Sequence, residues 1–111
     1  MSCSDIYTVG EVDNGDPAIN APYQGALSGT LNYPMYFSLR HAFQEKSSMH
    51  EISSQWQQVK ADFSDVKLLG LFVDNHDNPR FLSINPDQTA LANALAWIFF
   101  AEVRVALHGP A

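Results

Sequence analysis

Leu68-Leu69-Gly70-Leu71-Phe72-Val73 runs without any polar residue and without alternation, the pattern of a parallel strand covered on both faces. A chain carrying such a strand needs neighbours for its edges and layers for its faces. The run empties into Asp74-Asn75-His76-Asp77-Asn78-Pro79-Arg80. Upstream, Ile6-Tyr7-Thr8-Val9 is β-branched and aromatic and ends at Gly10-Glu11, so it predicts a short buried strand that delivers a carboxylate to a rim. Thr30-Leu31-Asn32-Tyr33 predicts a second short strand.

Residues 13–29 are dense in Gly, Pro, Asn and Asp and predict a long irregular loop. Pro34 suits the first turn of a helix with apolar residues at Met35, Tyr36, Leu39, Ala42 and Phe43. A second helix should begin at Ser48, with Glu51 completing a capping box and Met49, Ile52, Trp56, Val59 and Phe63 forming one stripe. Asn85 as N-cap and Pro86 at the first position open a third helix, apolar nearly all round over residues 90–100 and therefore expected to be deeply buried. This order predicts an α/β fold with about three parallel strands. Three strands leave edges unpaired and a helix without partners, so the 111 residues are expected to be one piece of a larger domain.

Composition removes several functions. With 46% hydrophobic and 12% aromatic residues the chain is core-forming, and 16% charged residues do not make a disordered tail. Six Lys and Arg against twelve Asp and Glu cannot assemble a phosphate-neutralising stripe, so nucleic acid is not an expected partner. No apolar run approaches the roughly 18 residues of a membrane span, and residues 1–5 show no secretory signal. The single cysteine, Cys3, permits neither an internal disulfide nor a cysteine-based zinc site.

Chemistry-bearing residues collect at two predicted strand ends, Gly10-Glu11 and Asn75-His76-Asp77, where parallel α/β folds build sites from different strands. Each also has a plain reading: Glu11 as a loop cap, Asp77-Asn78-Pro79 as a turn, His76 as a hydrogen-bonded core histidine. His41, His50, His76 and His108 include no close-spaced pair, and Asp13-Asn14-Gly15-Asp16 lacks the remaining oxygens of a calcium loop. No Gly-rich phosphate loop or Gly-x-Ser-x-Gly elbow is present.

Gly10-Glu11-Val12, Gly15-Asp16-Pro17-Ala18, Pro22-Tyr23-Gln24, Leu31-Asn32-Tyr33-Pro34 and Phe72-Val73-Asp74-Asn75-His76-Asp77-Asn78-Pro79-Arg80-Phe81, in that order and spacing, closely resemble fungal α-amylases of the (β/α)8 glycoside hydrolase family. The resemblance covers about residues 7–100 and implies part of a TIM barrel, strands five to seven with the following helix. It implies endo-hydrolysis of α-1,4-glucosidic bonds in starch, glycogen or maltooligosaccharides with retention. Glu11 would be the general acid/base and Asp77 the transition-state stabiliser. His76 would hydrogen-bond the sugar, with Arg80, Asp13 and Gly15 along the glucan cleft. A glycosidic oxygen leaves readily only when protonated, which requires an acid that keeps its proton near neutral pH.

The family's carboxylate nucleophile, expected about 5–5.5 Å from the acid, comes from its fourth strand and has no counterpart here. Asp5 would sit near the other end of its strand, and alternation turns Asp74 away from Asp77. The family's calcium is expected only in the full-length enzyme, its ligands lying on absent segments. A barrel of about 250 residues is less than half represented. Ala21 and Phe63 stand where relatives often carry a disulfide, and Asp13-Asn14 replaces an apolar residue and an acid. Residues 101–111 diverge, as a truncated, misspliced or frame-shifted end would. The family implies secretion. The rival expectations are an α-glucanotransferase, a glucan-binding remnant without catalysis, and a chain that does not fold alone.

Overall fold

The computed structural model describes residues 6–107, with side chains through Ala101. Cys3, Asp5, His108 and the last residues of the segment expected to diverge, 109–111, lie outside the described residues. Strand β1 (Val9–Gly10) pairs in parallel with β2 (Gly29–Thr30), with Val9 opposite Gly29 and Gly10 opposite Thr30. The third expected strand contributes a single parallel bridge, Leu31 to Gly70, in which Asn32 N–H donates to the Gly70 carbonyl at 2.8 Å and Gly70 N–H to the Thr30 carbonyl at 3.0 Å. The spatial order is therefore first, second, third. The close passage beside β2 depends on Gly29, where a Cβ would collide with the Leu68 carbonyl.

Two expectations of burial fail at these strands. Ile6, Tyr7 and Val9 are exposed, Val9 at 47%, because among the described residues no strand pairs with the outer edge of β1. Of the continuous apolar run only Leu69 and Val73 are buried; Leu68 belongs to a 3-10 turn (Val66–Leu68) and Leu71 and Phe72 are half-buried. With a neighbour on one side only, residues 71–73 gain no second row of ladder bonds and stay outside regular strand geometry.

The long loop is more ordered than its composition predicts. Asp16 accepts from Ala18 N–H at 2.9 Å and Pro17 pre-sets the first turn, giving α1 (Pro17–Asn20), followed by a 3-10 turn over Ala21–Gly25. Asn32 caps α2 (Tyr33–Leu39), its side chain accepting from Met35 N–H, with Pro34 in the first turn as expected. A wider, π-type turn (Arg40–Gln44) continues it. In α3 (His50–Asp62) the expected capping box does not form: Ser48 Oγ accepts from His50 N–H at 3.2 Å rather than from Glu51 N–H, the helix starts after Met49, and Glu51 Oε1 bonds His41 Nδ1 at 2.9 Å.

After α4 (Phe81–Ile84) comes α5 (Gln88–Leu107). Its cap is Asp87, which accepts from Thr89 N–H at 2.9 Å, rather than Asn85. Asn85 is committed elsewhere, donating to the Gln44 carbonyl and accepting from Asp87 N–H. Nor is α5 deeply buried. Ala94 and Ile98 join a core of Met35, Leu39, Ile52, Val59, Phe63, Leu69, Val73 and Phe81, but Phe99 and Phe100 are 65% and 66% exposed. The described residues offer α5 one packing surface, and an all-round apolar helix needs more. No helix among them is long and apolar enough to cross a membrane.

Candidate active site

All three parallel segments place a polar side chain just past their C-terminal ends: Glu11 after β1, Tyr33 after β2 and Asn75 after the Gly70 segment. Tyr33 joins them. Its hydroxyl donates to Glu11 Oε1 at 2.7 Å and accepts from Asn75 Nδ2 at 2.9 Å. The tyrosine can do this because Asn32 starts α2 directly after the strand, which turns the next side chain inward. The ring is buried and meets Phe72 edge-on with centroids 5.1 Å apart and Tyr36 at 5.6 Å, a geometry that favours aromatic pairs.

Tyr33 also reports the local field. Burial pushes its phenol far above the ordinary value, and the hydrogen bond to Glu11 and the negative charges of Glu11, Asp13 and Asp77 push it the same way. The field of all three carboxylates reaches this phenol, and Glu11 touches it. A phenol held protonated in the fold leaves stability unchanged below the unfolded value of 10.0, and stability falls as pH rises above it. Thermal unfolding above pH 10 should therefore show a decline that is smaller in Tyr33→Phe; an equal decline in both proteins would contradict the assignment.

Asp13 is exposed at the centre of a tight turn in which Asn14 N–H donates to the Val12 carbonyl at 2.8 Å. Gly15 lies against Phe37, and its carbonyl accepts from Gln55 Nε2 at 2.8 Å, tying the loop to α3. His76 Nε2 stands 3.5 Å from Asp77 Oδ1, and the His76 side chain is 86% exposed. Arg80 is exposed at the start of α4, and no side-chain bond draws it toward the other site residues. Asp74, adjacent in sequence to Asn75, points elsewhere: its Oδ1 accepts from Arg40 Nη1 at 3.2 Å and Phe81 N–H at 2.8 Å.

Among the described residues no group of three or more His, Cys, Asp and Glu comes together to hold a metal ion. Sequence reasoning overlooked Tyr33 as the link between the two clusters and Arg40 altogether. The available signal for Tyr33 was its position, since Asn32-Tyr33-Pro34 follows the second strand at the same rim as Glu11 and Asn75.

A family model described as "Alpha amylase, catalytic domain" matches residues 1–107. The α-amylase of Saccharomycopsis fibuligera is 41% identical over 103 residues, 92% of this chain and 21% of that protein. The structure of an α-amylase from Malbranchea cinnamomea superposes with a TM-score of 0.80 at 40% identity, over 85% of this chain and 20% of that one. A cyclomaltodextrin glucanotransferase gives 0.78 at 25% identity, over 86% of this chain and 20% of that one. The chain therefore spans about a fifth of the length of the curated relatives it matches, and its parallel segments with their helices are part of a (β/α)8 barrel. With motif order, strand order and rim chemistry in agreement, the chain belongs to the α-amylase catalytic-domain family of glycoside hydrolases.

Proposed function

We propose that these residues form the acid side of an α-glucan cleft, in an enzyme that cleaves internal α-1,4-glucosidic bonds of starch or glycogen with retention. The observation that carries this reading is the Tyr33 bridge between Glu11 and Asn75 at the strand ends. Tyr33 occupies Oε1 of Glu11, which leaves Oε2 to pass its proton to the departing glycosidic oxygen. The same carboxylate then takes a proton from the water that releases the glycosyl intermediate. Asp77, ionised, offsets the positive charge that develops on the sugar ring. Exposed His76 and Arg80 are suited to hydrogen-bond sugar hydroxyls, with Asp13 and Gly15 further along the cleft.

The nucleophile of this reading is not among the 111 residues. Asp74 is unsuited to the part, because Arg40 and the Phe81 amide already engage its carboxylate. Calcium, in the same reading, is held by other segments of the barrel, and the whole enzyme is secreted. Hydrolysis is preferred over glucan transfer because the hydrolase relatives are the more similar, 40% identical against 25% for the transferase. Maltoheptaose should be cleaved to α-anomeric products by a complete barrel containing these residues and left intact by the 111-residue chain alone. Cleavage by the chain alone, β-anomeric products, or purely transferred glucan would each overturn part of this reading.

A further inference from the structure

We propose that Arg40, the residue that caps the C-terminal end of α2, is a positioning residue that fixes the loop bearing His76 and Asp77, so that the two ends of α2 hold the two halves of the candidate site. The proposal rests on the functional reading above only in calling that loop part of a cleft. Arg40 is 6% exposed. Its guanidinium donates from Nη1 to the Val73 carbonyl at 3.1 Å and Asp74 Oδ1 at 3.2 Å, from Nη2 to the Pro79 carbonyl at 2.7 Å, and from Nε to Gln44 Oε1 at 3.0 Å. Val73 and Asp74 enter the loop and Pro79 leaves it, so one planar group holds both sides of its neck.

The surroundings reinforce the hold. Gln44 Nε2 donates to the Phe81 carbonyl at 3.0 Å, and Arg40 Cζ lies 5.3 Å from the Tyr36 ring centroid and 5.8 Å from that of Phe81. Beyond the neck the loop closes on itself, Asn75 Oδ1 accepting from both Asn78 N–H and Asn78 Nδ2 at 3.0 Å. His76 and Asp77 stand on that closed turn. Tyr33 and Arg40 are seven positions apart, two helical turns, and so share a face. The first engages Glu11 and the second the Asp77 loop. A lysine at position 40 would keep the charge but could not reproduce the forked set of bonds.

Arg40→Lys and Asp74→Asn, made in the whole gene product that contains these residues, separate positioning from folding. The readouts are amide exchange at Asn78 and Phe81 against Val59 of α3, and the side-chain amide resonances of Asn75. Arg40→Lys should speed exchange at the two loop amides about tenfold or more, shift the Asn75 resonances, and leave Val59 protected. Asp74→Asn, whose amide oxygen can still accept from Phe81 N–H, should give a smaller change of the same kind. Wild-type behaviour in Arg40→Lys, or equal loss of protection at Val59 and the loop in both variants, overturns the proposal. So does a wild-type loop that exchanges as fast as an unfolded peptide. If loop effects appear while maltoheptaose is neither bound nor cleaved, the positioning role stands and the glucan reading falls.

Discussion

Glu11→Gln, in a complete barrel, is expected to lower kcat for maltoheptaose hydrolysis by about two to four orders of magnitude, with KM changed far less. Glutamine has the same shape, and its carbonyl oxygen can still accept the 2.7 Å hydrogen bond that Tyr33 gives to Oε1. What it lacks is a transferable proton. An interaction needed only as the bond breaks should appear in kcat. The leaving group supplies the control, because a dinitrophenyl glycoside departs without protonation. Its glycosylation step should therefore be slowed much less than that of maltoheptaose. Tyr33→Phe should sit between wild type and Glu11→Gln, since it frees the acid without removing it. Equal losses on both substrates would assign Glu11 a role other than acid, and retained activity would remove it from the chemistry.

The second large effect changes sign with context. Phe99 and Phe100 are two-thirds exposed on α5, and Leu71, Phe72, Val73, Leu91, Leu95, Ile98 and Phe99 line a groove of about 470 Å³ between that helix and the third parallel segment. Expressed alone, the 111-residue chain should self-associate through this surface and through the outer edge of β1, where Ile6, Tyr7 and Val9 are uncovered. Its net charge of -6 opposes association, so association should strengthen as salt screens the repulsion. Phe99→Ser with Phe100→Ser should then raise the monomer fraction seen by sedimentation. In a complete barrel the same pair is expected instead to destabilise the fold by about 3 kcal/mol or more, the cost of removing large apolar side chains that the remaining elements would cover. A monomeric wild-type chain at all salt concentrations, or a barrel indifferent to the substitutions, would refute this account of the exposed face.

The failures of sequence reading share a cause. Val9, Leu71, Phe99 and Phe100 were expected to be buried because apolar pattern records what a residue packs against in the finished domain. The described residues supply one side of that packing, so Val9, Phe99 and Phe100 emerge on the surface and Leu71 is only half-buried. Asn85 was an equally acceptable cap to Asp87 by residue type. What decided between them was a distant acceptor, the Gln44 carbonyl, which takes the Asn85 amide. Glu51 likewise abandoned its capping box for His41.

Local chemistry and motif order settled a good deal without coordinates. Asn32 and Pro34 start α2 through rules that act over a single turn. The apolar runs set three parallel segments in chain order, and the Asn75-His76-Asp77 motif with Gly10-Glu11 marks the family. Tertiary structure alone decided that Tyr33 would hold Glu11 and Asn75 together, and that Arg40 would be buried with its charge divided among Val73, Asp74 and Pro79. Those contacts join residues 22 to 42 positions apart. The position of Tyr33 after the second strand marks its rim but not its partners, and nothing near Arg40 in the chain marks it at all, because a long-range hydrogen bond depends on how whole elements meet rather than on which residues adjoin.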